Sequence, residues 1–201
     1  MTASLAQGSL NSNKEVYDMI IESREIILKN GKACVVRVPR KQDGQAVLDY
    51  MLQCNGETEF VLSYPDEFTI TAEQEGSFLE GLAQSPDALM VACFDGEKCI
   101  GNAQIAFSSK DKLKHRASIA VGILKDYWRQ GIATALFEIL TQVAMERPEV
   151  VCIGLEYIEG NDRARALYEK QGFKEIYRKP DAIRWRDGTI LAEIGMVKYI
   201  K

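Results

Sequence analysis

Two apolar runs, "ASIAVGIL" at 117–124 and "VVCIGLEYI" at 150–158, flank a helical pattern over 131–146. This succession constrains the fold more than any other feature of the chain. The second run is almost unbroken in apolar residues, as in a strand buried on both faces. Ile132, Leu136, Ile139, Leu140 and Val143 recur on one helical face between the runs, and Pro148 stops the pattern. Strand, helix, strand with short polar breaks is a crossover that lays the two strands parallel in one sheet. The open end of such a sheet, next to the helix N-terminus, is where α/β proteins place ligands.

Around this unit the remaining punctuation predicts hairpins and two earlier helices. Asn30-Gly31 sits between "REIIL" and "KACVVRV", which predicts a hairpin on a two-residue type I′ turn, ended by Pro39. Val47, Leu48, Met51 and Leu52 are spaced for a helix that Asn55-Gly56 stops, and Phe78, Leu79 and Leu82 for a second one over 71–84, followed by Pro86. The stretch "ETEFVLSYPDEF" has no period and reads as a loop. A clear hairpin follows at 88–109, with Asp95-Gly96 in its turn, and Asp187-Gly188 turns a last one. A helix over 161–171 ends at Gly172. Residues 1–13 are small and polar and read as a flexible tail, and 14–201 as a single domain with no linker or repeat. The expected class is α/β with a mixed sheet whose only parallel crossover is the one at 117–158.

Composition narrows the function. Hydrophobic residues at 46% and charged ones at 27% describe a soluble globular chain. A net charge of −4 supplies no basic field for nucleic acid. No apolar run approaches the ~18–20 residues that span a bilayer, and the N-terminus has no signal-peptide pattern, so a cytoplasmic location with no membrane partner is expected. Cys34, Cys54, Cys93, Cys99 and Cys152 form no CxxC pair and read as buried, reduced thiols. His115 is the single histidine, which excludes a multi-histidine metal site. Its polar surroundings mark it as a surface residue, and no metal is expected.

The turn "DYWRQGIATAL" at 126–136 joins the first strand of the crossover to its helix. With a helix start near Gly131, the N–H groups of Arg129, Gln130, Gly131, Ile132, Ala133 and Thr134 are unpaired donors that an anion would satisfy. Gly131 and Ala133 lack bulk, and Arg129 adds a cation. An ordinary, water-satisfied connection is the other reading. The turn is neither a Walker loop nor GxGxxG, which argues against nucleoside triphosphates. A second constellation begins at the end of the next strand. Asn161 suits a helix N-cap, Tyr168 lies two turns later on the same face, and Ala164 keeps that face low. Glu156 sits near the strand end, on the opposite pleat face from Leu155 and Tyr157; a carboxylate among apolar neighbours there would have its pKa raised towards that of a useful base. Each residue also has a structural reading: Tyr168 as packing, Glu156 as an ion-pair partner and Asn161 as a cap alone.

Together, "YWRQGIATAL" and "LEYIEGNDRARALYEKQGF" resemble the GNAT superfamily of acetyl-CoA-dependent N-acetyltransferases. The first is similar to its pyrophosphate motif, [Q/R]-x-x-G-x-[G/A]. The second resembles its N-x-x-A-x-x-L-Y-E-K-x-G-F helix motif, matched by Asn161, Ala164, Leu167, Tyr168, Glu169, Lys170, Gly172 and Phe173. The element order from about 33 to 200 also fits, with the hairpin at 24–37 as an N-terminal addition. One departure is Trp128, which stands where the family usually has Gln or Arg. A tryptophan there is similar to the ribosomal-protein N-terminal acetyltransferase branch.

The resemblance implies a GNAT-like acyltransferase fold and acetyl-CoA as cosubstrate. It implies a pantetheine arm along Val121, Gly122 and Ile123, where a backbone N–H would stabilise the oxyanion. Direct attack by a primary amine is implied, with Glu156 as base and Tyr168 as acid, and without metal or acyl-enzyme. The acceptor is left open between a small molecule and a protein or peptide N-terminus, and so is a homodimer. The acidic residues Glu57, Glu59, Asp66 and Glu67 could attract a cationic amine or form a solvated loop. The alternative function is a non-catalytic acyl-CoA-binding or regulatory module.

Overall fold

The computed structural model describes residues 21–201. The tail expected over 1–13 and the start of the expected domain at 14–20 lie outside the described residues. Eight strands form one sheet: β1 (Arg24–Ile27), β2 (Ala33–Arg37), β3 (Ala88–Asp95), β4 (Lys98–Phe107), β5 (Arg116–Ile123), β6 (Cys152–Ile158), β7 (Lys174–Arg184) and β8 (Ile190–Tyr199). Their spatial order is β1-β2-β3-β4-β5-β6-β8-β7. The helices are α1 (Gly44–Gly56), α2 (Ala72–Ala83), α3 (Ile132–Met145) and α4 (Asp162–Lys170). Among the described residues β5 and β6 are the one parallel pair, as the crossover pattern requires. The mixed α/β class holds.

Helix α3 is the main apolar wedge. Ile132, Leu136, Phe137, Ile139, Leu140, Val143 and Ala144 are buried, a stripe wider than the five residues expected from periodicity. Each large side chain taken from water there contributes about 1.5–3 kcal/mol. All five cysteines are free and buried. Burial pushes the thiols of Cys93 and Cys99 up to about 12, so they stay protonated and behave as small apolar groups. His115 is exposed.

The two early helices meet backbone to backbone. A Cβ at Gly44 would strike the carbonyl oxygen of Ala72, and one at Gly76 the carbonyl oxygen of Lys41. The buried stripe of α2 therefore turns towards Glu75, Gly76 and Leu79, and Phe78, expected inside, is 51% exposed. Because main chain cannot give way as a flexible side chain can, Gly76→Ala should cost about 1–3 kcal/mol of stability. The expected result is a lowered urea midpoint with an unchanged slope.

Two of the turns correct the expected geometry. Only Gly31 has positive φ, at 86°, and Leu28 accepts from the Gly31 N–H while its own N–H donates to Lys32. That is a type I turn followed by a glycine bulge, not a type I′ turn. At 95–98 the central residues are Gly96 and Glu97, with positive φ at Gly96 alone, the type II′ pattern.

The parallel pairing of β5 and β6 is short. It holds at Arg116↔Cys152, Ala117↔Ile153 and Ser118↔Gly154 and goes no further. Beyond it β5 stays with β4 as far as Gly101↔Ile123, while β6 stays with β8 as far as Ile158↔Glu193. The sheet thus splits into two halves, and sheet twist separates them. A cleft opens between the strand ends.

Candidate functional site

The cleft has a volume of about 1270 Å³. The residues expected to hold or act on the cosubstrate line it: Val121, Gly122 and Ile123 from β5, Arg129 to Thr134 from the turn, Glu156 from β6, and Asn161 and Tyr168 from the edge of α4, whereas Glu57, Glu59, Asp66 and Glu67 do not.

The turn leading into α3 is built to leave donors free. Gly131 is the N-cap, with φ at 98°, and it has no side chain to cap the helix. Arg129 also has positive φ, at 63°, which is costly for a residue with a Cβ. Positive φ at both Arg129 and Gly131 lets the N–H groups around them gather in a concave turn, a nest suited to anions. Among the described residues, the backbone N–H groups of Arg129 to Thr134 have no partner, and the first helical bond is Ala135 N–H to the Gly131 carbonyl. A Cβ on Gly131 would meet nothing within 4 Å, so the space in front of these donors is open.

Trp128 explains how this turn is held. Its indole N–H donates to the Ile123 carbonyl at 2.7 Å, tying the turn to the last residue of β5. The Arg163 guanidinium lies over its ring from α4. Trp128 is therefore a strut between both halves of the split sheet. The bond also engages the Ile123 carbonyl, so an arm pairing with β5 would use groups before it. Lys125 N–H donates to Glu57 Oε2 at 2.6 Å, fixing the entry to the same turn.

Tyr168 is buried within a ring cluster, with centroids 5.9 Å from Phe137, 6.0 Å from Tyr157 and 6.3 Å from Phe173. Burial drives its phenol up to about 12, against a smaller opposing effect of the Arg163 charge. The hydroxyl is protonated throughout the physiological range and has no hydrogen-bond partner among the described residues. Asn161 does cap α4, since its Oδ1 accepts from the Ala164 N–H at 3.2 Å.

Glu156 differs from expectation. It does lie on the opposite pleat face from Leu155 and Tyr157, but that face leaves it exposed and not among apolar neighbours. Its Oε1 accepts from the Tyr177 hydroxyl at 3.2 Å. That ring can lie there only because residue 195, opposite Glu156 on β8, is glycine; a Cβ would overlap the ring. Glu193, two residues along β8, faces Ile158 and lines the cleft as well.

The acidic loop is mostly committed elsewhere. Asp66 takes both its oxygens to Arg186 Nη2, at 2.8 and 2.9 Å, and Tyr64 Oη accepts from the Arg186 N–H at 3.1 Å. Glu67 accepts from the Tyr64 N–H, and Glu57 from Lys125 as above. Phe60 meets Trp185 edge-on at 5.9 Å. The loop clasps the tip of the β7–β8 hairpin, and Glu59 alone of the four acidic residues has no such tie among the described residues. Phe60 and Leu62 line the cleft below this clasp.

The fold is similar to several solved structures. One is an acetyltransferase of the GNAT family from Streptococcus pneumoniae, with a TM-score of 0.77, 22% identity, and 83% of this chain and 99% of that one covered. Another is the ribosomal-protein-alanine N-acetyltransferase from Brucella melitensis, at 0.70 and 20%, covering 82% and 99%. A third is yncA from Salmonella typhimurium with its cofactor acetyl-CoA, at 0.71 and 15%, covering 84% and 94%. At these identities the likeness concerns fold alone. No curated protein sequence matches the chain. Residues 49–173, which carry both the nest and the Asn161-to-Tyr168 helix, match the Acetyltransferase (GNAT) family; the chain spans more than half its length in that match and belongs to the family.

Proposed function

We propose that the protein moves an acetyl group from acetyl-CoA to a primary amine by direct attack. The observation that carries this reading is the meeting, in one cleft, of six unpartnered backbone donors, an unpaired strand edge, a buried phenol and a carboxylate. The groups fit an acyl-CoA. The nest at Arg129, Gln130, Gly131, Ile132, Ala133 and Thr134 would hold its pyrophosphate, Val121, Gly122 and Ile123 would line its arm, and Asn161 would offer an amide beside it. When bound, acetyl-CoA supplies a thioester carbonyl that a neutral amine attacks, forming N–C and breaking C–S.

A primary amine with a pKa near ~10 is mostly protonated at neutral pH. Glu156, reachable from solvent, accepts its proton directly or through water. Tyr168 hydrogen-bonds the sulfur as charge develops on it, and the second proton, shed by the nitrogen as it becomes an amide, ends on the departing CoA sulfur through water. An ordinary thiol has a pKa near ~8.5, so a phenol at about 12 transfers its proton only uphill, and its main service is the hydrogen bond. Glu193 with Ile158, Ile183 and Phe60 gives the acceptor end an acidic floor and apolar walls, which favours an amine with an apolar body.

Release of free CoA from acetyl-CoA across a panel of amines, polyamines and peptides with free N-termini tests the proposal. Acceptor-dependent release is expected. Acetyl-CoA binding with no release on any acceptor would favour a binding module, and failure to bind acetyl-CoA would end the reading.

A further inference from the structure

The hairpin of β1 and β2 lies outside residues 49–173, yet it forms one wall of the cleft. Ile26, Ile27 and Lys29 line the same cavity as the nest. Its turn docks on the nest itself: the Asn30 N–H donates to Gln130 Oε1 at 3.1 Å. A second tie runs through Asp95, which takes the Lys32 ammonium and accepts from the Tyr127 hydroxyl, at 2.6 Å for the latter. The hairpin is thus fixed to the turn on both sides of Trp128. It presents to the cleft a 64%-exposed isoleucine, Ile27, and an exposed cation, Lys29, that has no acidic partner among the described residues.

An acyl-CoA carries two separate anionic groups, a pyrophosphate and a 3′-phosphomonoester on the adenosine ribose. The nest accounts for the first, and the edge of β5 leads the acyl arm away from it. The second group, with its flat adenine, needs a cation and an apolar surface on a different side of the nest. Arg163 is engaged on Trp128, and Arg129 belongs to the nest. Lys29 and Ile27 supply what is missing.

We infer that the N-terminal hairpin is part of the donor site, an inference that rests on the acyl-CoA reading above. Lys29 is the counter-cation of the 3′-phosphate, Ile27 is the wall for the adenine, and Asn30 positions Gln130 in the nest. Lys170, at the end of α4, is the competing cation on the same cleft.

Calorimetric titration of CoA and of 3′-dephospho-CoA into the full chain, Lys29→Ala and Lys170→Ala separates these roles. Wild type should prefer CoA. Lys29→Ala should bind CoA about tenfold more weakly, the size of one charge-assisted contact, with dephospho-CoA affinity unchanged and so with the preference lost. Lys170→Ala should keep the preference. Lys29→Ala binding both ligands as wild type does, or loss of the preference in Lys170→Ala instead, overturns the inference. Wild type binding both ligands equally also overturns it while leaving the acyl-CoA reading intact. Wild type binding neither would defeat that reading itself.

Discussion

Tyr168→Phe should lower the turnover of acetyl transfer by about a hundredfold, the low end of what one hydrogen-bond donor aimed at developing charge supplies, with acetyl-CoA affinity within about twofold of wild type. The split follows from where the hydroxyl sits. The ring is held by Phe137, Tyr157 and Phe173, and phenylalanine preserves that packing. The hydroxyl itself bonds no described group, so its removal leaves no orphaned partner and little change in stability. What is lost is a hydrogen bond made only as the sulfur becomes negative, and such a loss falls on kcat rather than on binding. Single-turnover rates together with titration of acetyl-CoA check both halves. Unchanged turnover would remove Tyr168 from the chemistry.

Gly131→Val should weaken acetyl-CoA binding by about a hundredfold or more, roughly two pKd units or ~2.7 kcal/mol. Gly131 holds φ at 98°, which a β-branched residue adopts only under strain. Relief of that strain rotates the nest and scatters its aligned N–H groups. The free protein has room for the side chain, since nothing lies within 4 Å of a Cβ there. The fold should therefore survive with a modest loss of stability, and the damage should appear in Kd. Equal affinity in wild type and variant would mean that the phosphates are held elsewhere.

Much of this site was legible because its determinants are local. The apolar runs at 117–124 and 150–158 and the 3.6-residue stripe between them specify the crossover, and Asn161 and Tyr168 share a helix face by spacing alone. The unpaired N–H groups at 131–134 follow from any helix start with its N-cap at Gly131, whereas those of Arg129 and Gln130 belong to the turn before it. What the sequence concealed depends on register and on distant partners. The divergence of β5 and β6 after Ser118↔Gly154 is a property of two half-sheets twisting apart, not of either strand. Trp128 as a strut needs both the Ile123 carbonyl and Arg163 in place. The clasp of Asp66 and Arg186 joins residues 120 apart in sequence, and no periodicity points to it. The partner of Glu156 depends on Tyr177 lying over Gly195, a glycine that looked like any other. A tryptophan five residues after a strand's last residue and two charged residues flanking loop aromatics were the only traces of these contacts in the chain.

The central claim is that an acyl-CoA sits on the open donors between the split halves of the sheet. Amide hydrogen exchange with and without acetyl-CoA tests it most directly, because it reads those N–H groups themselves. Binding should slow exchange at 129–134, where the free protein offers no partner, and along Ile119 to Ile123, while the edge strand β7 stays unchanged. Saturating acetyl-CoA that leaves exchange at 129–134 untouched would contradict the account.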